Sequence, residues 1–173
     1  MLRLLLMRHA KAERSQPGEG DVSRRLTERG RADAATVGAY LQAHGLAPDA
    51  AAVSPAARTR ETWDLVAQAL ANAPQATWDD RLYDATPGDI LKVIQRTPAT
   101  AGTLLVIGHN PGLHALVVGL IASGTRAARQ RLAEGMPTST LAAIDFTDQS
   151  WAELKPLSGR LERFVTARGQ PED

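Results

Sequence analysis

The sequence of 173 residues contains no cysteine. Thiolate catalysis, disulfide bonds and zinc sites built on sulfur ligands are therefore excluded, because each of them requires the sulfur atom itself. Aromatic residues make up only 4% of the chain, which leaves few platforms for stacking nucleic-acid bases. The formal net charge is only +1, so no global field draws the protein onto nucleic acid or an anionic membrane. We expect neither kind of partner.

Long apolar runs are also missing. No segment approaches the roughly 18 consecutive apolar residues that a membrane span needs, and the apolar residues 1–7 are too short for the core of a signal peptide. We therefore expect a cytoplasmic protein. A chain of this length buries roughly 70% of its unfolded surface, so a single domain over residues 1–173 needs no disulfide or structural metal. Residues 170–173 are predicted to form a frayed tail.

Two continuous apolar runs, Leu4–Met7 and Leu104–Ile107, have the length of strands that are covered on both faces. Helix starts are predicted at Ser54-Pro55, Thr86-Pro87 and Asn110-Pro111. In each pair the first residue can accept a hydrogen bond from a free backbone N–H, and the proline lies where its missing N–H costs nothing. Strands, capped turns and helices thus alternate along the chain.

This alternation predicts an α/β sandwich with a mainly parallel sheet. Thr27 is predicted to open a further helix, with Gly45 just past its end. The predicted order is strand 2–7, loop 11–26, helix 27–44, strand 51–53, helix 56–71, strand 77–83, helix 87–96, strand 103–108, helix 111–123, a basic connector at 126–131, and strands near 139–146 and 150–155. The last two strands alternate more in polarity and are expected to form an antiparallel edge.

Both predicted buried strands end at a histidine. Arg8 and His9 follow the first strand, and His109 and Asn110 follow the second. In open α/β sheets, ligands bind beyond the carboxyl ends of the strands. A buried arginine and histidine pair would be costly without partners, so a binding site is favoured over a structural role, which remains the alternative for each histidine.

Arg58 lies in the first turns of the helix that is predicted after Ser54-Pro55. A helix N-terminus favours an anion, and a planar guanidinium there can bind phosphate oxygens in a bidentate fork. Arg60 is two positions further on and must point to another side of the helix. We expect Arg60 in solvent, paired with Asp64, and Arg58 at a phosphate.

Three motifs in this order resemble the signatures of the histidine phosphatase superfamily, the phosphoglycerate mutase-like group that hydrolyses or transfers phosphate through a phosphohistidine. They are Leu-Met-Arg-His-Ala at 6–10, Ser-Pro-x-x-Arg-x-x-x-Thr at 54–62 and Gly-His-Asn-Pro at 108–111. The short chain and the Arg-His-Ala spelling are similar to the SixA-type branch of phosphohistidine phosphatases. The resemblance implies a minimal phosphoglycerate mutase-like fold, a three-layer sandwich with no cap insertion.

The resemblance also implies roles for individual residues. His9 would be the nucleophile that accepts the phosphoryl group, and Arg8, Arg58 and His109 would bind its oxygens. Relatives of the SixA type carry another arginine before a Leu-Thr helix start. Arg24 occupies that position here, as a further phosphate ligand.

The neighbouring Arg25 is the alternative to Arg24, since it differs by one residue in register. The proton donor is less defined. Relatives that act on phosphate monoesters place an acid before a tyrosine in the middle of the chain, which Asp80 matches best and Asp84 second. The alternative is that these aspartates are ordinary surface residues.

Metal dependence is not expected, and no cofactor is implied. The helical histidine pair with a spacing of four is absent, because His109 and His114 are five residues apart with a proline between them. The three basic residues of the predicted connector are expected to face solvent or to guide an acidic partner.

The sequence thus predicts a phosphatase that removes phosphate from phosphohistidine on a protein, for example on a histidine-containing phosphotransfer domain. A phosphohistidine leaves as an imidazole, which depends less on a proton donor than an alkoxide does. A pocket without an insertion over it also suits a protein-borne phosphate. The alternatives are a small-molecule phosphomonoesterase of the same family and a non-catalytic phosphoprotein-binding module.

Overall fold

The computed structural model describes residues 1–168, so the predicted frayed tail at 170–173 lies outside the described residues. Within them the chain forms seven strands and five α-helices. The strands are β1 (Leu2–Arg8), β2 (Ala50–Val53), β3 (Ala76–Trp78), β4 (Thr103–Gly108), β5 (Ile121–Gly124), β6 (Leu141–Phe146) and β7 (Gly159–Val165). The α-helices are α1 (Glu28–Ala43), α2 (Ala57–Gln68), α3 (Pro87–Gln95), α4 (Gly112–Leu120) and α5 (Arg126–Glu134).

All seven strands belong to one sheet, in the order β3-β2-β4-β1-β6-β7-β5. The pairs β3·β2, β2·β4, β4·β1 and β7·β5 are parallel, whereas β6 is antiparallel to both of its neighbours, β1 and β7. The mainly parallel sheet with an antiparallel part toward one side is therefore confirmed.

Helices cover both faces of the sheet and make three layers. Successive residues of a strand point to opposite faces, so Leu4 and Leu6 of β1 pack with the apolar residues of α3, α4 and α5, whereas Leu5 and Met7 pack with those of α1 and α2. All four side chains are fully buried. The continuous apolar run of β1 thus has the predicted explanation, a strand covered on both faces. None of the helices in the described part of the chain combines the length and apolar character that a bilayer span requires.

The predicted helix starts are partly confirmed. Thr86 closes a capping box at the start of α3, and Thr27 caps α1. The side chain of Asn110 accepts a hydrogen bond from the backbone N–H of His114 in α4, at 3.2 Å. The prediction for Ser54 is wrong, since α2 begins at Ala57 and the Ser54 hydroxyl bonds elsewhere.

Two predicted elements in the middle of the chain are too long. The strand predicted at 77–83 ends at Trp78, because the Asp79 side chain accepts a hydrogen bond from the Arg81 backbone N–H and starts a 3-10 helix over Asp80–Leu82. The helix predicted at 111–123 ends at Leu120, and the chain continues directly into β5.

The C-terminal third departs further from the prediction. The basic connector is helix α5, whose first turn is capped by Thr125 through the backbone N–H of Ala128 at 3.2 Å. The strand predicted near 150–155 is a 3-10 turn over Trp151–Glu153, and β7 lies after it. Strand β7 was missed because its polar residues do not strictly alternate with the apolar ones.

Candidate active site

The carboxyl ends of β1 and β4 meet in the middle of the sheet and bring the two predicted histidines together. Arg8 is opposite Gly108 in the parallel ladder, and the His9 backbone N–H donates to the Gly108 carbonyl at 3.1 Å. The ring centroids of His9 and His109 are 5.3 Å apart. Both side chains lie at the edge where ligands bind in such sheets.

A cavity of about 310 Å³ opens at this edge. It is lined by Arg8, His9, Lys11, Ala12, Arg24, Arg58, His109, Asn110 and Thr138. The lining thus includes the expected nucleophile His9 and all four expected phosphate ligands, which are Arg8, Arg24, Arg58 and His109. Arg25 is exposed and does not line the cavity, so the geometry favours Arg24 over Arg25.

The hydrogen bonds of His9 determine its tautomer. Its Nδ1 atom lies 2.7 Å from the carbonyl oxygen of Ala10, which can only accept, so Nδ1 carries the proton. The lone pair therefore lies on Nε2. The N–H of Ala10 is in turn held by the Thr62 hydroxyl at 3.0 Å, and that hydroxyl donates to the Arg58 carbonyl at 2.7 Å. The turn that carries the histidine is thereby fixed to α2.

His109 has the opposite tautomer. The Nη2 atom of Arg58 can only donate, and it lies 3.3 Å from His109 Nδ1, so Nδ1 accepts. The proton on Nε2 then points to the Ser54 hydroxyl at 2.7 Å. Ser54 follows β2, the strand next to β4, and orients this imidazole instead of capping α2.

Both imidazoles are neutral near pH 7. Burial lowers the pKa of His9 to about 3, and the positive arginines nearby act in the same direction. Burial also lowers the pKa of His109 to about 4, with Arg58 as the next largest cause. A neutral His9 with a free Nε2 lone pair is the state that can act as a nucleophile.

Arg8 and Arg58 line the cavity and bring positive charge to it. Arg8 donates from Nη1 to the Met136 carbonyl at 3.1 Å, and Arg58 is nearly fully buried. The Nε–H groups of both arginines are buried, and within residues 1–168 they have no hydrogen-bond partner. A buried donor without an acceptor costs about 1–3 kcal/mol, so the two arginines are kept at this site at some cost in stability.

Asp21 is a residue of this site that the sequence reasoning missed. Its carboxylate accepts hydrogen bonds from Arg58 at 3.0 Å, from Arg24 at 3.0 Å and from the Tyr83 hydroxyl at 2.6 Å. The Tyr83 hydrogen bond and those of the two arginines lower the pKa of Asp21 well below its usual range. The spacing Asp-x-x-Arg at 21–24 was the available signal, but residues 11–26 were predicted only as a loop.

The candidate proton donors are exposed aspartates on either side of Tyr83. Asp80 is exposed in the 3-10 helix, and Asp84 is exposed in the turn after it. Neither is among the residues that line the cavity. Arg60 does not pair with Asp64 as expected, since its guanidinium stacks on Trp78, 4.4 Å from the ring centre. In residues 1–168 no group of three or more His, Asp or Glu side chains is placed to hold a metal ion.

Comparison with known proteins adds independent information. A family model, the histidine phosphatase superfamily (branch 1), matches residues 4–101. A Mycobacterium tuberculosis protein of uncharacterized function is 38% identical over 164 residues, 94% of this chain and 100% of the relative. Two solved structures, from Agrobacterium tumefaciens and Nakamurella multipartitia, are provisionally assigned as SixA phosphohistidine phosphatases. Each is 29% identical to this chain with a TM-score of 0.81. The first match covers 95% of this chain and the second 97%, and each covers 97% of the solved structure.

Proposed function

Because the chain belongs to the histidine phosphatase superfamily, we propose that it hydrolyses phosphohistidine on a protein through a covalent intermediate on His9. Arg8, Arg24, Arg58 and His109 bind the transferred phosphoryl group. The SixA assignments of the two similar structures support the substrate class. A phosphorylated protein, such as a histidine-containing phosphotransfer domain, is the partner.

One observation carries this choice of substrate: the cavity offers cations and a nucleophile but no protonated carboxyl group. Among residues 1–168, no carboxylate lines it, and the nearby Asp21 is held ionised by its hydrogen bonds. The Tyr83 hydroxyl donates to Asp21, and this contact raises the pKa of Tyr83. An alkoxide leaving group needs a proton in the transition state, whereas an imidazole protonated on its other nitrogen leaves as a neutral base.

In the first step, His9 Nε2 attacks the phosphorus atom. The new P–N bond forms as the bond from phosphorus to the substrate nitrogen breaks, and the electron pair of that bond stays on the departing imidazole. Negative charge on the equatorial oxygens is stabilised by the fixed arginines, which need little reorganisation because they are already held by the protein. The proton stays on His9 Nδ1, and its hydrogen bond to the Ala10 carbonyl stabilises the positive charge of the phosphorylated ring.

In the second step, water attacks phosphorus from the side that the leaving group has vacated. The P–N bond to His9 breaks, its electron pair returns to Nε2, and the product is inorganic phosphate that carries both hydrogens of the water. Two in-line displacements thus replace one difficult hydrolysis. The arginine pocket serves both steps.

The test compares two substrates and traps the intermediate. The protein is incubated with a ³²P-labelled phosphohistidine carrier domain and, separately, with para-nitrophenyl phosphate, then quenched in alkali. We expect fast release of phosphate from the carrier, slow ester hydrolysis, and acid-labile label on the protein that His9→Asn abolishes. Fast ester hydrolysis with little release from the carrier would make it a phosphomonoesterase. Tight binding of the carrier without turnover would make it a binding module.

A further inference from the structure

We infer that Asp21 is a positioning residue that holds Arg58 and Arg24 in the geometry needed at the transferred phosphoryl group, with Tyr83 fixing the carboxylate from the other side. This inference rests on the proposed function for its reaction. The inference assigns a role to a carboxylate that contacts Arg24 and Arg58, the two arginines proposed to bind phosphate. The carboxylate itself does not line the cavity.

The contacts of Asp21 come from its own loop and from two distant parts of the chain. Arg58 of α2 directs both terminal nitrogens at it, with Nη1 on the main-chain carbonyl at 2.8 Å and Nη2 on the carboxylate at 3.0 Å. Arg24 donates to the other carboxylate oxygen and also, through Nε, to the Glu13 carbonyl at 2.7 Å. Tyr83 lies just after the 3-10 helix that follows β3. Asp21 therefore connects the loop between β1 and α1 to two other segments.

An alternative role for such a carboxylate is to occupy the arginines as a phosphate mimic, which substrate must displace. The geometry argues against it. Arg58 donates to the main-chain carbonyl of Asp21 as well as to its carboxylate, and a phosphate mimic would need only the carboxylate. The Tyr83 hydroxyl holds the same carboxylate from another segment. Asp21 also does not line the cavity in which phosphate would bind.

The Asp21 loop is fixed at a second point on the same helix. The Leu26 backbone N–H donates to the Glu61 carboxylate of α2 at 3.2 Å, and Arg31 of α1 contacts the same side chain at 3.3 Å. The carboxylate of Asp21 is thus held against α2 by a loop whose far end is anchored independently. Removing the charge of Asp21 should loosen the two arginines without unfolding the loop.

The experiment measures Asp21→Asn and Tyr83→Phe with phosphoramidate as a small P–N substrate and with two inhibitors. Orthovanadate imitates the five-coordinate transition state, and orthophosphate imitates the bound product. For Asp21→Asn we expect kcat to fall roughly tenfold to a hundredfold and orthovanadate to bind about tenfold more weakly. Orthophosphate affinity should change by less than about threefold, because the ground state depends less on precise alignment. Tyr83→Phe should lower kcat roughly threefold to tenfold, the range of one hydrogen bond.

Glu19→Gln is the matched control, since Glu19 is an exposed carboxylate of the same loop, and its kinetics should equal those of wild type. Tighter binding of both anions by Asp21→Asn with undiminished kcat would show that Asp21 competes with phosphate. Wild-type values for both variants would also overturn the inference. If Asp21→Asn does not fold, Tyr83→Phe decides by the same measurements. If wild type turns over no phosphorylated substrate, the proposed function fails, and the two inhibitor affinities still decide the role of Asp21.

Discussion

At the scale of single residues, Arg58 makes several contacts that serve different parts of the site. Its guanidinium contacts Asp21 and His109, and its carbonyl accepts from the Thr62 hydroxyl that holds the turn after His9. A lysine in its place keeps the charge but has one nitrogen in place of three and cannot make these contacts together. Position 58 therefore requires the planar guanidinium group with its three nitrogens, and a positive charge alone is not enough.

We predict that Arg58→Lys lowers kcat/KM by roughly a hundredfold, within the range seen when one preorganised donor to a developing oxyanion is lost. Steady-state kinetics with phosphoramidate measures the effect. Arg60→Lys is the control from the same helix, because Arg60 is exposed and stacks on Trp78. Arg60→Lys should leave kcat/KM within about twofold of wild type. Equal values for the two variants would mean that only charge at position 58 matters.

At the scale of secondary structure elements, α4 begins four residues after the end of β4, and His109 lies in the connection. Its first residue, Gly112, packs directly on another segment: an added Cβ would lie 2.1 Å from the Ala85 carbonyl oxygen. Near the other end of the same helix, a Cβ on Gly119 would meet nothing within 4 Å. The two glycines thus have opposite environments in one element.

Alanine at these two positions should change stability in opposite directions. Gly112→Ala is expected to lower the free energy of unfolding by about 1–3 kcal/mol, because the backbone must move to relieve the contact. Gly119→Ala should raise it by up to about 1 kcal/mol through helix propensity. Urea denaturation of both variants measures the difference. A Gly112→Ala protein as stable as wild type would show that α4 and the segment before α3 can separate without cost.

The elements that the sequence predicted well are those with a strong local signal. Strands β1 and β4 are apolar throughout, and Thr86 opens α3 with a complete capping box. The region after α4 has no such signal. Residues 150–155 and 159–165 both mix polar and apolar side chains, and only pairing with β5 and β6 distinguishes the real strand. That pairing depends on tertiary structure, which local sequence does not contain.

The residues of the candidate site also divide into those with a local sequence signal and those without one. The positions of His9, Arg8 and His109 follow from two buried strands that end at one edge of the sheet. Arg58 was predicted from its place at a helix start, and Arg24 through motif resemblance. Asp21 and Tyr83 were not found, because their role depends on how a long loop crosses the carboxyl ends of the strands. The hydroxyl of Ser54 was assigned to a helix cap for a similar reason, since its true partner is 55 residues away.

At the scale of the whole molecule, the buried histidines couple the active site to folding stability. Burial lowers the pKa of His9 to about 3 and that of His109 to about 4, whereas both have a pKa of about 6.5 in the unfolded chain. Below pH 6.5 the two histidines therefore bind protons in the unfolded chain that they do not bind in the folded protein. Stability that is complete above pH 6.5 is lost as the pH falls toward 4.

We predict that the free energy of unfolding falls between pH 6.5 and 4.5 with a slope of up to about 1.4 kcal/mol per pH unit for each of the two imidazoles. His9→Asn and His109→Gln should each flatten this slope, and the double variant should flatten it most. Urea denaturation over this range measures it. Asp21 contributes little to this slope. Its pKa is lowered in the folded protein, so its contribution to stability is lost only as the pH falls below about 3.8, the ordinary aspartate pKa. A wild-type protein whose stability is flat over this range would show that the imidazoles take up protons in the folded state near their ordinary pKa, which contradicts the lowered pKa of both histidines.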